Sequence, residues 1–143
     1  MSIQSILDRN RAELITIRPT ETVKRAADRM RERNIAALIV TSGNTFAGLI
    51  SERDIIHAIS RHGEQALTMP VQDFVPHSTI SVAPDDTLKR AMSLMTNHRV
   101  RHLPVFADGK LVGIVSIGDV VKHRLEELEI ESNVLRDAYI AAH

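Results

Sequence analysis

The chain has 143 residues, and its 18 Lys and Arg balance 18 Asp and Glu for a formal net charge of +0; no overall field draws it to nucleic acid or an anionic membrane. It contains no cysteine, which removes disulfides, thiolate metal sites and thiol catalysis. Aromatic residues make up only 3%, few platforms for stacking on nucleic acid, and no apolar run reaches the length of a membrane span; the expected location is the cytoplasm.

In chain order, residues 2–13 are predicted as a short helix with Ile3, Ile6 and Leu7 on one side, and 70–75 as its counterpart. Residues 14–17 and 79–82 alternate apolar and polar side chains and read as extended. Thr22 and Thr87 are candidate caps for two helices whose apolar positions, Val23, Ala26, Ala27 and Met30 and then Leu88, Ala91, Met92 and Met95, have the spacing of one buried face. Residues 37–40 and 103–105 are expected as buried strands. Each precedes a turn, Ser42-Gly43-Asn44 or Ala107-Asp108-Gly109, and a second strand over 46–50 or 111–115, giving a β-hairpin in each half. Helical patterns follow over 51–60 and 116–128. Residues 61–69 connect the halves, with His62-Gly63 as the expected flexible spot. Beyond 128 the pattern stays helical, with Val121, Leu125, Leu128, Ser132, Leu135 and Tyr139 on one stripe. That stripe has two expected uses, a dimer contact or docking on its own chain.

The two halves are copies. Pro84 follows Pro19 by 65 residues (84 − 19), and the same offset relates Thr87 to Thr22, Gly113 to Gly48, Ser116 to Ser51 and Asp119 to Asp54. An ungapped repeat of this kind outranks other local signals. Half-domains of this size bury too little surface to be comfortable alone, so the two are expected to pack face to face.

Each copy carries Gly-x-x-Ser-x-x-Asp where a strand gives way to a helix. Two readings stand. In one, the helix N-terminus and the Ser hydroxyl hold a phosphate while the Asp, one turn on, accepts from ribose hydroxyls. In the other, Ser caps the helix and Asp compensates its dipole.

The combination of Pro19-x-x-Thr22, Gly48-Leu49-Ile50-Ser51-Glu52-Arg53-Asp54, their counterparts, and His102-Leu103-Pro104-Val105 resembles a tandem pair of cystathionine-β-synthase (CBS) domains, the arrangement called a Bateman module, over about 14–128. The resemblance implies an α/β (α+β) fold of two pseudo-symmetric β-α-β-β-α repeats packed through their sheets, and a disc-shaped homodimer. The expected divisions are 1–66 for the first repeat with the N-terminal helix, 67–128 for the second, and 129–143 for a C-terminal helical extension. It also implies an adenosine ligand, AMP foremost, with ADP, ATP, NAD(H) or S-adenosylmethionine as alternatives, in a cleft between repeats. Asp54 and Asp119 would then hold ribose, Ser51 and Ser116 would meet phosphate or start the helix, and Thr16, Ile17, Thr79 and Ile80 would flank the base. Pro104 belongs to the same set.

The copies differ in charge. The resemblance implies that nearby basic residues help hold the phosphate, and the ligand-binding candidates are Arg99, Arg101, His102 and Arg53: the first three stand in the second copy where the first has Asn34, Ala36 and Ala37, whereas Arg53 of the first is replaced by Gly118. Two unequal sites are expected. His98 and His102 are four apart, but Pro104 disfavours helix at Leu103, so no metal site is expected. His57, His62, His77, His123 and His143 are expected at the surface.

The leading functional expectation is a regulatory sensor of an adenosine nucleotide that modulates an unidentified protein in trans, with no catalytic residue, no nucleic-acid partner and no membrane partner. A structural dimerisation module with vestigial clefts is the alternative. An enzyme acting on a nucleotide is the third reading, disfavoured because no Gly-rich phosphate loop, GxSxG elbow or Cys nucleophile is present.

Overall fold

The computed structural model describes residues 1–10, 14–77 and 79–142. Two compact units emerge, Glu13–Thr79 and the combination of Met1–Ala12 with Ile80–His143.

In the first of these, β1 (Thr16–Ile17), α2 (Val23–Arg33), β2 (Ala37–Ser42), β3 (Thr45–Ser51) and α3 (Glu52–His62) follow α1 (Ile3–Arg9) in the chain. The sheet runs β1-β2-β3, with β1 parallel to β2 and β2 antiparallel to β3. The two-residue loop Gly43-Asn44 has its positive φ at Gly43, as a type II′ hairpin turn requires. The core gathers Ile17, Leu38, Val40 and Ile50 of the sheet with Val23, Ala26 and Met30 of α2 and Ile55 of α3. Thr22 caps α2 by accepting from the Arg25 amide at 3.1 Å. The connection after α3 has regular structure in place of the expected flexible spot: Gly63–Thr68 forms a 3-10 turn that buries Ala66.

The other unit repeats the plan with α4 (Leu88–His98), β4 (His102–Ala107), β5 (Lys110–Ser116) and α5 (Ile117–Ala142). Asp108 and Gly109 both take positive φ in the β4–β5 turn, the type I′ geometry that Asp-Gly favours. Its core contains Leu88, Ala91 and Met95 of α4, Leu103, Val105 and Val115 of the hairpin, Val120 of α5, and Ile3 and Ile6 of α1. Thr87 accepts from the Arg90 amide at 3.0 Å.

The first helix therefore packs with the second repeat, not with the repeat it precedes. Backbone bonds explain this: the Ile3 amide donates to the Asp86 carbonyl at 2.9 Å and the Gln4 amide to the Pro84 carbonyl at 2.8 Å. In the other unit, Val71 and Gln72 donate to Glu21 and Pro19 at 2.8 and 3.1 Å. Val71 is thus the counterpart of Ile3, 68 residues on (71 − 3), not 65. Helix α1 also ends at Arg9, while the predicted end at Glu13 lies outside the described residues.

These lead segments account for the repeated glycine. A Cβ on Gly113 would lie 2.5 Å from Leu7 Cδ2, and one on Gly48 would lie 2.5 Å from Val75 Cγ1. Each glycine is the floor on which a lead side chain rests. Gly48 has in addition a φ of +144°.

Two surface expectations are corrected. His123 is only 2% exposed, because α5 turns the side bearing Val120 and His123 inward; His143 lies outside the described residues. The stripe Val121, Leu125, Leu128, Ser132, Leu135 and Tyr139 is not buried against its own unit: all six are exposed. No helix among the described residues is long and apolar enough to cross a membrane.

Candidate functional site

Ser51 ends β3 and caps α3. Its Oγ accepts from the Asp54 amide at 3.3 Å, while Asp54 Oδ2 accepts from the Ser51 amide at 2.8 Å and from the Ser51 hydroxyl at 2.9 Å. Ser116 and Asp119 repeat this reciprocal cap at the head of α5, with 3.2 Å, 3.4 Å and 2.9 Å for the same three contacts. The capping reading of the motif is realised in both copies. Further first-turn amides are also satisfied, Glu52 by the Ala36 carbonyl at 3.0 Å and Ile117 by the Arg101 carbonyl at 2.8 Å. Each carboxylate uses only Oδ2 in its cap. Ser and Asp are half-buried in both copies, so the Asp remains within reach of a solute.

The copies diverge at the edge of the sheet. In the first, the Ile15 carbonyl accepts from the Ile39 amide at 3.1 Å, and the Thr16 carbonyl accepts from Arg29 Nη1 at 2.8 Å. Arg29 is itself held by Glu21, at 3.2 and 3.4 Å. Burial alone would raise the Glu21 carboxyl, but the Arg18 amide and the Arg29 guanidinium outweigh it and hold the group below its ordinary value.

In the second copy the residue aligned with Ile39 is Pro104, which has no N–H to donate, and the residue aligned with Arg29 is Leu94, which has no polar group. The first strand shrinks accordingly to one bridge, Val82 with Val105, held by the Val82 amide on the Pro104 carbonyl at 3.1 Å. Neither donor that occupies the Ile15 and Thr16 carbonyls has an equivalent at Ile80 and Ser81. The counterparts of Thr16 and Ile17 are thus Ser81 and Val82 rather than Thr79 and Ile80. Thr79 belongs with the first copy, where its Oγ1 lies 3.8 Å from the Cβ position of Gly48.

The basic residues take distinct places. His102 opens β4 directly opposite Ser116 in the ladder, the register that sets Ala37 opposite Ser51 in the first copy. Arg101 precedes it, exposed. Arg99 closes α4 in the left-handed region, with φ 55° and ψ 41°, where its counterpart Asn34 has φ 53° and ψ 49°. Asparagine tolerates that conformation better than arginine does. Arg53 lies exposed in the first turn of α3, beside Asp54. Pro104 is buried in β4, where its nitrogen has no hydrogen to donate. Among the described residues no group of three or more His, Asp or Glu is placed to hold a metal ion. Ser81 and Leu94 were missing from the candidates because their role appears only when the copies are compared bond by bond.

Comparison with known proteins supplies the frame for this geometry. The CBS-domain containing protein ATU1752 of Agrobacterium tumefaciens superposes with a TM-score of 0.84 at 32% identity, covering 87% of this chain and 99% of that one. CBSX2, solved in complex with AMP, superposes with a TM-score of 0.71 at 26% identity, covering 87% and 96%. The mitochondrial CBS domain-containing protein CBSX3 of Arabidopsis thaliana is 38% identical over 125 residues, which is 84% of this chain and 60% of that protein. The CBS domain model matches twice, at residues 5–61 and 71–126, and the chain therefore belongs to the CBS-domain family, as a tandem pair.

Proposed function

We propose that the chain is a regulatory module that binds an adenosine nucleotide, AMP foremost, at its second repeat and signals occupancy to another protein in trans without transforming the ligand. The observation that carries this reading is the pair of carbonyls at Ile80 and Ser81, whose first-repeat equivalents are both occupied. They offer acceptors to the exocyclic amine of adenine. Asp119 accepts from ribose hydroxyls through Oδ1, and His102, set opposite Ser116, takes the phosphate side together with Arg101. The AMP complex of the related CBSX2 supports the choice of ligand class.

In the first repeat, Ile39 and Arg29 have closed the equivalent edge, so Asp54, Ser51, Thr16 and Ile17 serve the fold there more than a ligand, with Arg53 contributing charge at the rim. The closed edge, with its Ile15 and Thr16 carbonyls occupied, favours the structural alternative for this repeat alone. The module acts as a homodimer on this reading, and signalling requires the ligand to prefer one of its conformations over another.

The test is thermal unfolding of the wild type and Pro104→Ile with AMP, ADP, ATP, S-adenosylmethionine, NAD and NADH. Isoleucine restores the amide that the Ile80 carbonyl lacks, so the variant is expected to keep its fold and lose most of the nucleotide shift. No shift of the wild type with any of the six ligands would overturn the reading.

A further inference from the structure

Helix α5 continues well past the packed body of its unit, and residues 131–142 are exposed throughout. Its seam of Val121, Leu125, Leu128, Ser132, Leu135 and Tyr139 advances by alternating steps of four and three. That is the period of a coiled-coil core, whereas a helix lying on a globular body drifts at 3.6. Leu125 is 62% exposed and Leu135 72%, so these leucines of the seam are not buried by their own unit. Over 121–142 it amounts to three heptads, about 33 Å of helix.

We infer that this seam pairs with α5 of a second copy of the chain as a parallel, in-register two-stranded coiled coil. The flanking charges select both the occupant and its direction. In a parallel pair a flanking residue meets the one five positions further along the other helix. Arg124 then meets Glu129 of the second copy, and Glu131 meets Arg136, each contact made twice by symmetry. An antiparallel pair stacking the same apolar layers sets Glu129 against Glu129 and Lys122 against Arg136, like against like. Arg124 also pairs with Glu127 in its own helix, so Glu131 with Arg136 is the cleaner determinant. Ser132 at a core position weakens the pair and fixes its register, the use that single polar core residues have in coiled coils.

The inference extends the dimeric reading above by naming its surface, and its failure is separable from the failure of nucleotide binding. Sedimentation velocity of the full chain is the primary measurement. Leu135→Glu is expected to raise the dimer dissociation constant roughly tenfold or more, with unchanged circular dichroism of the body because Leu135 is 72% exposed. Glu131→Arg and Arg136→Glu should each weaken the dimer about three- to fivefold, and combining them should restore it. The chain has no cysteine, so Tyr139→Cys near the helix end forms a symmetric disulfide only in the parallel arrangement. A monomeric wild type would overturn the inference. So would a dimer indifferent to Leu135→Glu, or one that neither crosslinks at Tyr139→Cys nor responds to the charge swap, even with nucleotide binding intact.

Discussion

Removing the Asp119 carboxylate separates its two roles, cap and ligand, because the size of the first follows from the structure. Asp119→Ala deletes the acceptor for the Ser116 amide and hydroxyl, a loss of about 1 kcal/mol for a helix cap, and removes a negative charge from the head of α5, about 0.5 kcal/mol more. At roughly 2–4 °C per kcal/mol for a chain of this size, the ligand-free variant should melt about 3–6 °C below wild type. Asp119→Asn keeps an acceptor oxygen and loses the charge alone, about 0.5 kcal/mol. Asp54 sits closer to its serine amide, 2.8 Å against 3.4 Å, so Asp54→Ala should cost at least as much. The nucleotide increment is a separate quantity, about 2.7 kcal/mol at a hundred times the dissociation constant. Differential scanning calorimetry with and without AMP reads both. The expected outcome is that both Asp119 variants lose most of the increment, while the Asp54 variants show the baseline loss and keep it. An Asp119→Asn protein with the full increment would refute the ribose role, and equal loss in the Asp54 variants would refute the assignment to the second repeat.

Two further outcomes concern the frame around the site. Gly113→Ala should destabilise by about 1–3 kcal/mol, the usual cost of overpacking, and in a double-mutant cycle Leu7→Ala should recover most of the clash; at Gly48, Val75→Ala should recover less, because the +144° φ strains any side chain there. Additive urea midpoints for the Gly113 pair would show that the lead segment is not seated on the hairpin. The depressed Glu21 carboxyl contributes stability that is present above its unfolded value of about 4.3 and is lost as pH falls through the lower folded value. Wild type should therefore exceed Glu21→Gln at neutral pH and converge with it in acid, and a gap that persists in acid would place the effect in packing instead.

Most of the fold was legible because the repeat states it twice. The helix faces led by Val23 and Leu88, the two hairpin turns and the threonine caps each depend on neighbours within a few residues, where spacing and turn chemistry are decisive. The lead segments escaped because their partners are remote: nothing near Ile3 reveals that its amide is satisfied by Asp86, and the 68-residue relation to Val71 is masked by the 65-residue repeat around it. His123 escaped for a related reason. Its polarity suggests solvent, yet it lies three residues after Val120 on the inward side of α5, while the more apolar stripe through Leu135 faces outward. A free helix is expected to bury its most apolar face; that this one buries Val120 and His123 instead is the argument that its apolar face is built for a different surface.

At the candidate site, the Ser and Asp positions were evident and their asymmetry was not. The motif is nearly the same in both copies, so the motif itself does not tell the copies apart. The difference lies in what is missing from the second, an amide at Pro104 and a guanidinium at Leu94. Each omission alone is an ordinary substitution. Both donors serve adjacent carbonyls, so they act together: the Ile39 amide and the Arg29 guanidinium close the edge in the first repeat, and neither has a counterpart for Ile80 and Ser81 in the second. On the proposed reading, a duplicated fold keeps two equivalent caps while one edge, lacking the two donors that close the other, supplies acceptors for a ligand.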